Sequence, residues 1–276
     1  MLHAKTLPIG VFDSGVGGLT VLRALQKQLP HESFLYLGDT ARLPYGTKSP
    51  DTVIAYAKQA ASILIERGIK FLVVACNTAT ALALPALQQQ FPELTIVGVL
   101  EPGAKAACEA SKNGQIAVIA TEATVNAQGY QKAIHRLNSH ATVVAESCSL
   151  FVALAEEGWL EGDITEAVAR RYLEPLLFAV PDFTPDTLIL GCTHFPALLT
   201  SIQKVAGKNI TVIDSADSTA KVVAESLQKL NLLNDSQDKA KTHLMVTDAP
   251  GRFARVARHF LGKELLSHQV ELVDFH

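Results

Sequence analysis

Two cysteines stand in the same local setting, each at the end of a short apolar run and before small polar side chains. Cys76 follows the apolar residues of FLVVACNTAT (71–80), and Cys192 follows those of TLILGCTHFP (187–196). Both runs lead into expected helix starts, where backbone N–H groups favour thiolate over thiol. We therefore expect both thiols to have lowered pKa values and to act as bases near neutral pH. A single cysteine of this kind is usually a buried apolar residue, so the matched pair is what favours chemistry.

The residues after the two cysteines suit the binding of a carboxylate. The Asn77 amide and the Thr78 and Thr193 hydroxyls would join the backbone N–H groups at that point of the chain. Two acid/base groups on opposite faces of one carbon remove a proton from one side and return a proton to the other, which inverts that carbon. A hydrolase would use one activated nucleophile and would leave the second thiol without a role. The pair therefore favours stereoinversion.

A glycine-rich turn, DSGVGGLT (13–20), follows the first apolar run. It lacks the Gly-Lys-Ser/Thr ending of a Walker loop, and Thr20 stands where a dinucleotide fingerprint starting at Gly15 requires glycine. Asp39 ends the next apolar run, where a ribose-binding acid would stand, so a nucleotide site remains an alternative. Asp13 weighs against it because a carboxylate at the mouth of the loop repels a pyrophosphate and suits an ammonium group. Asp13 is alternatively the N-cap of the following helix.

The cysteine pattern argues against disulfides and metal. The chain has four cysteines and no CxxC pair, so we expect free thiols in a reducing compartment. Cys108 lies in an alanine-rich helical stretch, and Cys148 has less polar neighbours than the matched pair, so a structural role is favoured for both. Zinc could use Cys76, Cys192 and His194, but the tight ligand spacing of structural zinc sites is absent. We expect no metal.

Short runs rich in valine, isoleucine and leucine alternate with amphipathic helical stretches along the whole chain. This pattern is typical of a parallel sheet covered on both faces, so the predicted fold class is α/β. Ten runs are strand candidates: IGVF (9–12), SFLYLG (33–38), KFLVVA (70–75), TIVGV (95–99), QIAVIA (115–120), ATVVAE (141–146), TLILG (187–191), ITVID (210–214), HLMVTD (243–248) and VELVDF (270–275).

The two halves of the chain share one order of motifs. Asp13 precedes Cys76 about as far along the chain as Thr121 precedes Cys192. This order predicts two similar doubly wound domains related by an internal repeat. Because ligands bind beyond the carboxyl ends of the strands in such sheets, two facing domains would present both thiols to one ligand in a cleft. The predicted domains are residues 1–100 with 213–276, and residues 101–212.

Composition and charge limit the classes of partner. The 276 residues are 48% apolar and 18% charged, with a net charge of -3. No block of lysine and arginine forms an electrostatic footprint for nucleic acid, so a small molecule is the expected partner. The N-terminal residues lack the apolar core of a signal peptide, and no apolar run approaches the roughly 20 residues that span a bilayer. We expect a cytoplasmic protein without membrane contact; a homodimer is compatible with the sequence, which does not specify the oligomeric state.

Six motifs, spread in order over nearly the whole chain, resemble those of one enzyme family. They are FDSGVGGLTV, GDTARLPYG, ACNTATA, ATEATV, SLFVALAEEG and LGCTHFP. In these motifs the sequence is similar to the glutamate racemases of the cofactor-independent aspartate/glutamate racemase superfamily. The resemblance implies two α/β domains with the glutamate site between them and no cofactor. It also implies interconversion of L- and D-glutamate, which supplies D-glutamate for peptidoglycan synthesis and so for cell wall biogenesis and cell shape.

The same resemblance implies roles for the acid/base groups. Cys76 and Cys192 are the expected acid/base residues. Asp13 is the expected partner of Cys76, and His194 is the expected partner of Cys192. A histidine two residues after a strand is alternatively a structural one with its hydrogen bonds satisfied.

Further site residues follow from the aligned motifs. Glu156 is expected behind His194, and its preference over the adjacent Glu157 rests on the motif alignment alone. The expected substrate contacts are Asp13, Ser14, Tyr45, Gly46, Asn77, Thr78, Thr121, Thr124, Thr193 and His194.

Three other functions remain open at the level of sequence. Another member of the superfamily, such as an aspartate racemase, would share the motifs and differ in substrate. A two-domain amino-acid-binding protein would explain polar strand ends and a cleft, but it gives no reason for paired thiols. A nucleotide-dependent oxidoreductase would use the glycine-rich turn and Asp39.

Overall fold

A computed structural model describes residues 2–235 and 239–274, and ten strands and twelve α-helices lie within them. The strands are β1 (Ile9–Asp13), β2 (Phe34–Gly38), β3 (Phe71–Val74), β4 (Ile96–Gly98), β5 (Gln115–Ala120), β6 (Thr142–Ser147), β7 (Thr187–Gly191), β8 (Thr211–Asp214), β9 (Thr242–Val246) and β10 (Val270–Leu272). Each lies on one of the ten predicted apolar runs. The last run extends to Phe275, which is outside the described residues, and its strand ends at Leu272.

The helices alternate with the strands. They are α1 (Leu2–Thr6), α2 (Leu19–Gln28), α3 (Pro50–Glu66), α4 (Asn77–Gln90), α5 (Leu100–Ala110), α6 (Glu122–Asn126), α7 (Gly129–Leu137), α8 (Leu150–Glu157), α9 (Asp163–Phe178), α10 (Leu199–Ala206), α11 (Ala216–Lys229) and α12 (Pro250–Leu261). Short 3-10 helices span Tyr45–Thr47, Phe195–Leu198 and Ser267–Gln269. None of the helices in the described ranges is both long enough and apolar enough to cross a membrane.

The strands form two parallel sheets with the same internal order. The first has the order β10-β9-β2-β1-β3-β4, and the second has the order β6-β5-β7-β8. The run β2-β1-β3-β4 of the first sheet therefore matches the whole of the second, with β1 equivalent to β5 and β3 to β7. Every strand pair is parallel. The predicted α/β class and the internal repeat of two doubly wound sheets are confirmed.

Alternate residues of each central strand enter different cores, which explains the nearly continuous apolar runs. Val11 and Val73 join the core that includes α2 and α12, whereas Phe12 and Val74 join the core under α3 and α4. In the second sheet, Leu188 and Leu190 join a core with α9 and α10, and Ile189 joins a core with α5 and α7. A parallel strand buried on both faces needs apolar side chains at every position, so the sequence reads as an unbroken run.

Strand pairing moves one predicted domain boundary. The predicted boundary at residue 212 cuts through β8, which pairs with β7 in the second sheet through Thr187–Thr211 and Leu188–Val212. The chain returns to the first sheet only after Asp214, where α11 begins and packs on α2. The sequence ITVID would suit a strand in either sheet, so only the observed pairing with β7 shows which sheet it joins. The other crossover lies between β4 and α5, near the predicted boundary at residue 100, and the domain ranges themselves stay a prediction.

Two glycines allow the two halves to approach each other closely. A Cβ atom placed on Gly17 would lie 2.4 Å from Thr193 Oγ1 and 2.6 Å from His194 Nδ1. A Cβ atom placed on Gly46 would lie 2.6 Å from Thr121 Cβ. A side chain at either position would have to displace these side chains of the second half. Gly17 therefore allows the glycine-rich turn to contact the second half closely.

Candidate active site

The carboxyl ends of the two sheets line a small cavity of about 30 Å³, called here the interdomain cavity. Ten of the predicted site residues line it: Ser14, Tyr45, Gly46, Cys76, Asn77, Thr78, Thr121, Cys192, Thr193 and His194. Pro44 and Val152 also line it and were not predicted. Pro44 belongs to the same turn as Tyr45, whereas Val152 is one apolar residue of α8 and carries no local signal. The remaining predicted residues, Asp13, Thr124 and Glu156, lie behind this lining.

Cys76 is the N-cap of α4, as the apolar run before it predicts. The Ala79 N–H donates to Cys76 Sγ at 3.4 Å, and the thiol donates to Ser14 Oγ at 3.4 Å. The expected lowering of its pKa is wrong: burial and the nearby negative charge of Asp13 raise the pKa of Cys76 to about 12. The hydrogen bonds that Cys76 makes with Ser14 and with the Ala79 N–H oppose this rise but are weaker. In the closed cavity Cys76 is therefore a thiol.

Asp13 ends β1 and is completely buried. Its Oδ2 atom accepts from the Gly15 N–H at 3.0 Å, while its Oδ1 atom is buried without a hydrogen-bond partner in the described part of the chain. Burial raises the pKa of Asp13, and hydrogen bonds from the Gly18 N–H and the charge of His194 partly offset the rise. Asp13 is not the cap of α2, because Gly18 holds that position. The helix-cap alternative is therefore excluded.

Cys192 is the first member of a chain of polar contacts in the second half. Its Sγ lies 3.8 Å from His194 Nδ1, and His194 Nε2 lies 3.1 Å from Glu156 Oε1. The other oxygen of Glu156 accepts from Arg252 Nη2 at 3.0 Å. Glu157 is exposed and has no such contact, so the alignment placed the correct glutamate behind His194. No α-helix starts directly after Cys192; a 3-10 turn begins at Phe195 instead.

Charges on either side determine the protonation of His194, which is 7% exposed. Burial alone would lower its pKa, but hydrogen bonds with Cys192 and Glu156 outweigh burial and raise the pKa to about 10. Burial alone would raise the pKa of Glu156, and the His194 hydrogen bond with the charges of His194 and Arg252 lowers it instead. At neutral pH the site therefore contains a protonated histidine and an ionised glutamate.

Three threonine hydroxyls join the two halves beside the cavity. Thr78 Oγ1 lies 2.8 Å from Thr121 Oγ1 and 3.1 Å from Thr124 Oγ1, and the latter two are 3.0 Å apart. Thr78 lies in the first turn of α4 in the first half, whereas Thr121 and Thr124 follow β5 in the second. The cluster provides hydroxyl groups that can donate to a bound carboxylate without leaving a buried polar atom unpaired.

Asp39 holds the turn around Tyr45. Its Oδ2 accepts from the Tyr45 hydroxyl and from Arg42 Nε at 2.7 Å, and its Oδ1 accepts from Thr247 Oγ1 at 2.9 Å. Both oxygens are therefore used inside the protein, and the ribose-binding alternative for Asp39 is unsupported. The described residues contain no group of three or more histidine, cysteine, aspartate or glutamate side chains placed to hold a metal ion.

Comparison with known proteins agrees with this geometry. Residues 9–223 match the model of the Asp/Glu/hydantoin racemase family. The chain is 49% identical over 257 residues to glutamate racemase of Geobacter metallireducens, with 93% of each chain covered. It is 46% identical over 266 residues to glutamate racemase of Chlorobaculum parvum, with 96% of each covered.

Solved structures give the same result. Glutamate racemase from Francisella tularensis in complex with D-glutamate superposes with a TM-score of 0.90 at 36% identity, and 98% of each chain is covered. Glutamate racemase from Thermus thermophilus in complex with beta-chloro-D-alanine superposes with a TM-score of 0.86 at 41% identity, again over 98% of each chain. We conclude that the chain belongs to the Asp/Glu/hydantoin racemase family and is an amino-acid racemase.

Proposed function

We propose that this protein interconverts L- and D-glutamate, with Cys76 and Cys192 as acid and base on opposite faces of the α-carbon. One observation carries the proposal: the two cysteines follow equivalent strands, β3 and β7, of two sheets with the same order, and both line the interdomain cavity. An internal repeat whose copies face each other supplies one proton-transfer group to each side of a ligand. The 42–49% identity of glutamate racemases from several bacteria supports glutamate as the substrate.

For L-glutamate the reaction starts at Cys192. The Cys192 thiolate takes the α-proton, and the Cys76 thiol gives its own proton to the opposite face of the carbanion. Protonated His194, whose Nδ1 lies 3.8 Å from Cys192 Sγ, places positive charge beside the thiolate. The pKa of about 12 at Cys76 suits a group that must hold a proton until the carbanion needs it. The residues around each thiol therefore determine whether it acts first as the base or as the acid.

For D-glutamate the roles are exchanged. Cys76 must first lose its proton, and Asp13 is the group available to take it, because Asp13 Oδ1 is buried and unpartnered among the described residues. Burial raises the pKa of Asp13 toward the pKa of the thiol, and this makes the carboxylate a better proton acceptor for Cys76. Cys192 then delivers a proton with His194 as its partner. Each turnover leaves the two thiols in exchanged protonation states, and proton exchange with solvent restores them.

Polar groups around the cavity serve to hold the substrate. Asn77, Thr78 and Thr193 are buried side chains with hydrogen-bond donors at the cavity wall. Buried donors fixed before binding favour a carboxylate, since a ligand that lacks one would leave them unpaired. Ser14, Tyr45 and Gly46 complete the wall on the first half. The D-glutamate product would serve peptidoglycan synthesis in the cytoplasm, and no cofactor takes part.

A direct assay tests this function. Purified protein with L-glutamate and no added cofactor should lose circular-dichroism signal until the racemic mixture is reached, and D-glutamate should approach the same end point from the other sign. Pyridoxal phosphate should not increase the rate, and chelators should not reduce it. If aspartate is racemised and glutamate is not, the substrate assignment is wrong. Binding of glutamate without turnover would instead indicate an amino-acid-binding protein.

A further inference from the structure

In the Asn77 side-chain amide, the oxygen has a hydrogen-bond partner and the nitrogen has none among the described residues. Asn77 is the first residue of α4, is 3% exposed and lines the interdomain cavity. Its Oδ1 accepts a hydrogen bond of 2.7 Å from the Tyr130 hydroxyl, which comes from α7 in the other half. Its Nδ2 is buried and has no hydrogen-bond partner within the described ranges. A buried donor left unpaired costs about 1–3 kcal/mol, so this end of the amide is suited to a ligand that accepts hydrogen bonds.

Backbone close to the ring fixes the position of Tyr130, which is 1% exposed. A Cβ atom placed on Gly191 would lie 2.9 Å from the ring Cε2, and one placed on Gly103 would lie 3.3 Å from the hydroxyl oxygen. Gly191 ends β7 directly before Cys192, and Gly103 lies in α5 directly after the first crossover. The ring therefore packs closely against the backbone at the end of β7 and in α5.

The phenol acts as a donor toward Asn77. Burial raises the pKa of Tyr130, so its hydroxyl keeps its proton at all physiological pH values. The Ser215 side chain interacts with this hydroxyl and only partly opposes the rise. The phenol proton is directed to the amide oxygen, because Tyr130 donates to Asn77 Oδ1 at 2.7 Å. The acceptor end of Asn77 must then face Tyr130, and its NH₂ group must face the opposite way.

We propose that the Tyr130 hydroxyl is a positioning group that fixes the Asn77 amide with Nδ2 available to a carboxylate of the bound amino acid. The inference rests on the proposed racemisation of glutamate. Without the hydroxyl, the amide could rotate and present Oδ1, which repels a carboxylate. Tyr130 would therefore act on substrate affinity through Asn77, and it would act on both enantiomers alike because it touches neither thiol.

A double-mutant cycle tests this role. Tyr130→Phe keeps the buried ring and should raise KM about tenfold for both enantiomers, which corresponds to about 1.4 kcal/mol, while kcat changes less than about threefold. In an Asn77→Ala background, Tyr130→Phe should cause no further rise in KM, because the amide through which it acts is gone. Tyr172→Phe is the matched control: it removes a half-buried hydroxyl that accepts from the Leu150 N–H in the same half, and KM should not change.

Equal multiplicative rises of KM in both backgrounds would make Tyr130 a purely structural residue and overturn the inference, while the racemase function would stand. A second readout does not depend on turnover. In the ligand-free protein, the side-chain amide resonances of Asn77, assigned by their loss in Asn77→Ala, should move in Tyr130→Phe and stay in place in Tyr172→Phe. Unmoved resonances in Tyr130→Phe would also overturn the inference. An inactive wild-type protein would refute the proposed function and leave this resonance test to decide the contact.

Discussion

His194 Nε2 lies 3.1 Å from Glu156 Oε1, and Glu156 in turn contacts α12 of the first half. The second oxygen of Glu156 accepts from Arg252 of α12, so the carboxylate is held from both sides. A fixed carboxylate keeps the imidazole in one orientation and stabilises its positive charge. The protonated state of the histidine beside Cys192 therefore depends on a carboxylate that lies 38 residues away in sequence.

Replacing Glu156 by glutamine should slow catalysis without changing the shape of the site. Loss of the carboxylate charge lowers the pKa of His194, so less positive charge remains beside Cys192. We expect kcat to fall about tenfold or more, in line with acid/base helpers. Glu157→Gln is the matched control, because Glu157 is the exposed neighbour on the same helix, and its kcat should stay within about twofold. Equal effects of the two changes would remove Glu156 from the mechanism.

Stability should depend on pH through His194. Its pKa is raised from 6.5 to about 10, so its stabilising contribution is complete below pH 6.5 and is lost as the pH rises through 10. The groups facing the imidazole are Cys192, Glu156 and Asp13, with the Phe260 ring at its edge. Between pH 6.5 and pH 10, the loss of this contribution should lower the free energy of unfolding by at most about 1.4 kcal/mol for each pH unit.

Urea unfolding at pH 7, 8 and 9 measures this dependence. The wild-type protein should lose more stability over that range than His194→Asn, so the difference between the two should shrink as the pH rises. A difference that stays constant with pH would mean that His194 is neutral in the folded protein at pH 7.

Asp13 and His194 should affect the two directions of the reaction differently. If Cys76 deprotonates D-glutamate, then Asp13→Asn should lower kcat more strongly for D-glutamate, and His194→Asn should lower it more strongly for L-glutamate. Losses of about 10²- to 10⁴-fold are typical of an acid/base helper. Because the equilibrium constant is unity, kcat/KM must change equally in both directions. A loss below threefold in both variants would make the two residues structural.

Much of this architecture could be predicted from the sequence because parallel strands are buried on both faces. All ten apolar runs are strands, and residues that follow them meet in one cavity because carboxyl ends of parallel strands share an edge. The pKa of Cys76 could not be predicted. A helix start lowers a thiol pKa, but burial and Asp13, which ends a neighbouring strand, raise it more.

Contacts made by distant segments were also beyond the sequence. Arg252 lies in α12, and Tyr130 is one aromatic residue in an amphipathic helix, so neither carries a local signal for its contact with Glu156 or Asn77. The predicted boundary at residue 212 falls inside β8 for a similar reason, because only pairing with β7 assigns that strand to the second sheet. The catalytic roles of the site residues stay predictions that variants of the two cysteines can test.

Serine at either cysteine should separate the two half-reactions. A hydroxyl has a pKa far above neutral, so Cys76→Ser and Cys192→Ser should each reduce racemisation by at least about 10³-fold. A glutamate analogue with a leaving group at Cβ requires only the first step: the thiolate takes the α-proton, and the leaving group departs with its bonding electrons as a double bond forms. Cys76→Ser should still eliminate from the L-analogue, and Cys192→Ser from the D-analogue. If both variants process both enantiomers equally, the two thiols do not face opposite sides of the substrate.

The origin of the proton returned to the α-carbon tests the central claim most directly. In heavy water, L-glutamate is converted while mass spectrometry follows deuterium at Cα of each separated enantiomer during the first turnovers. Two opposed thiols predict that D-glutamate carries deuterium from the start, because Cys76 delivers a proton exchanged with solvent, while remaining L-glutamate stays protiated. D-glutamate that retains the original proton, or deuterium that appears equally in both enantiomers, would contradict the two-base account.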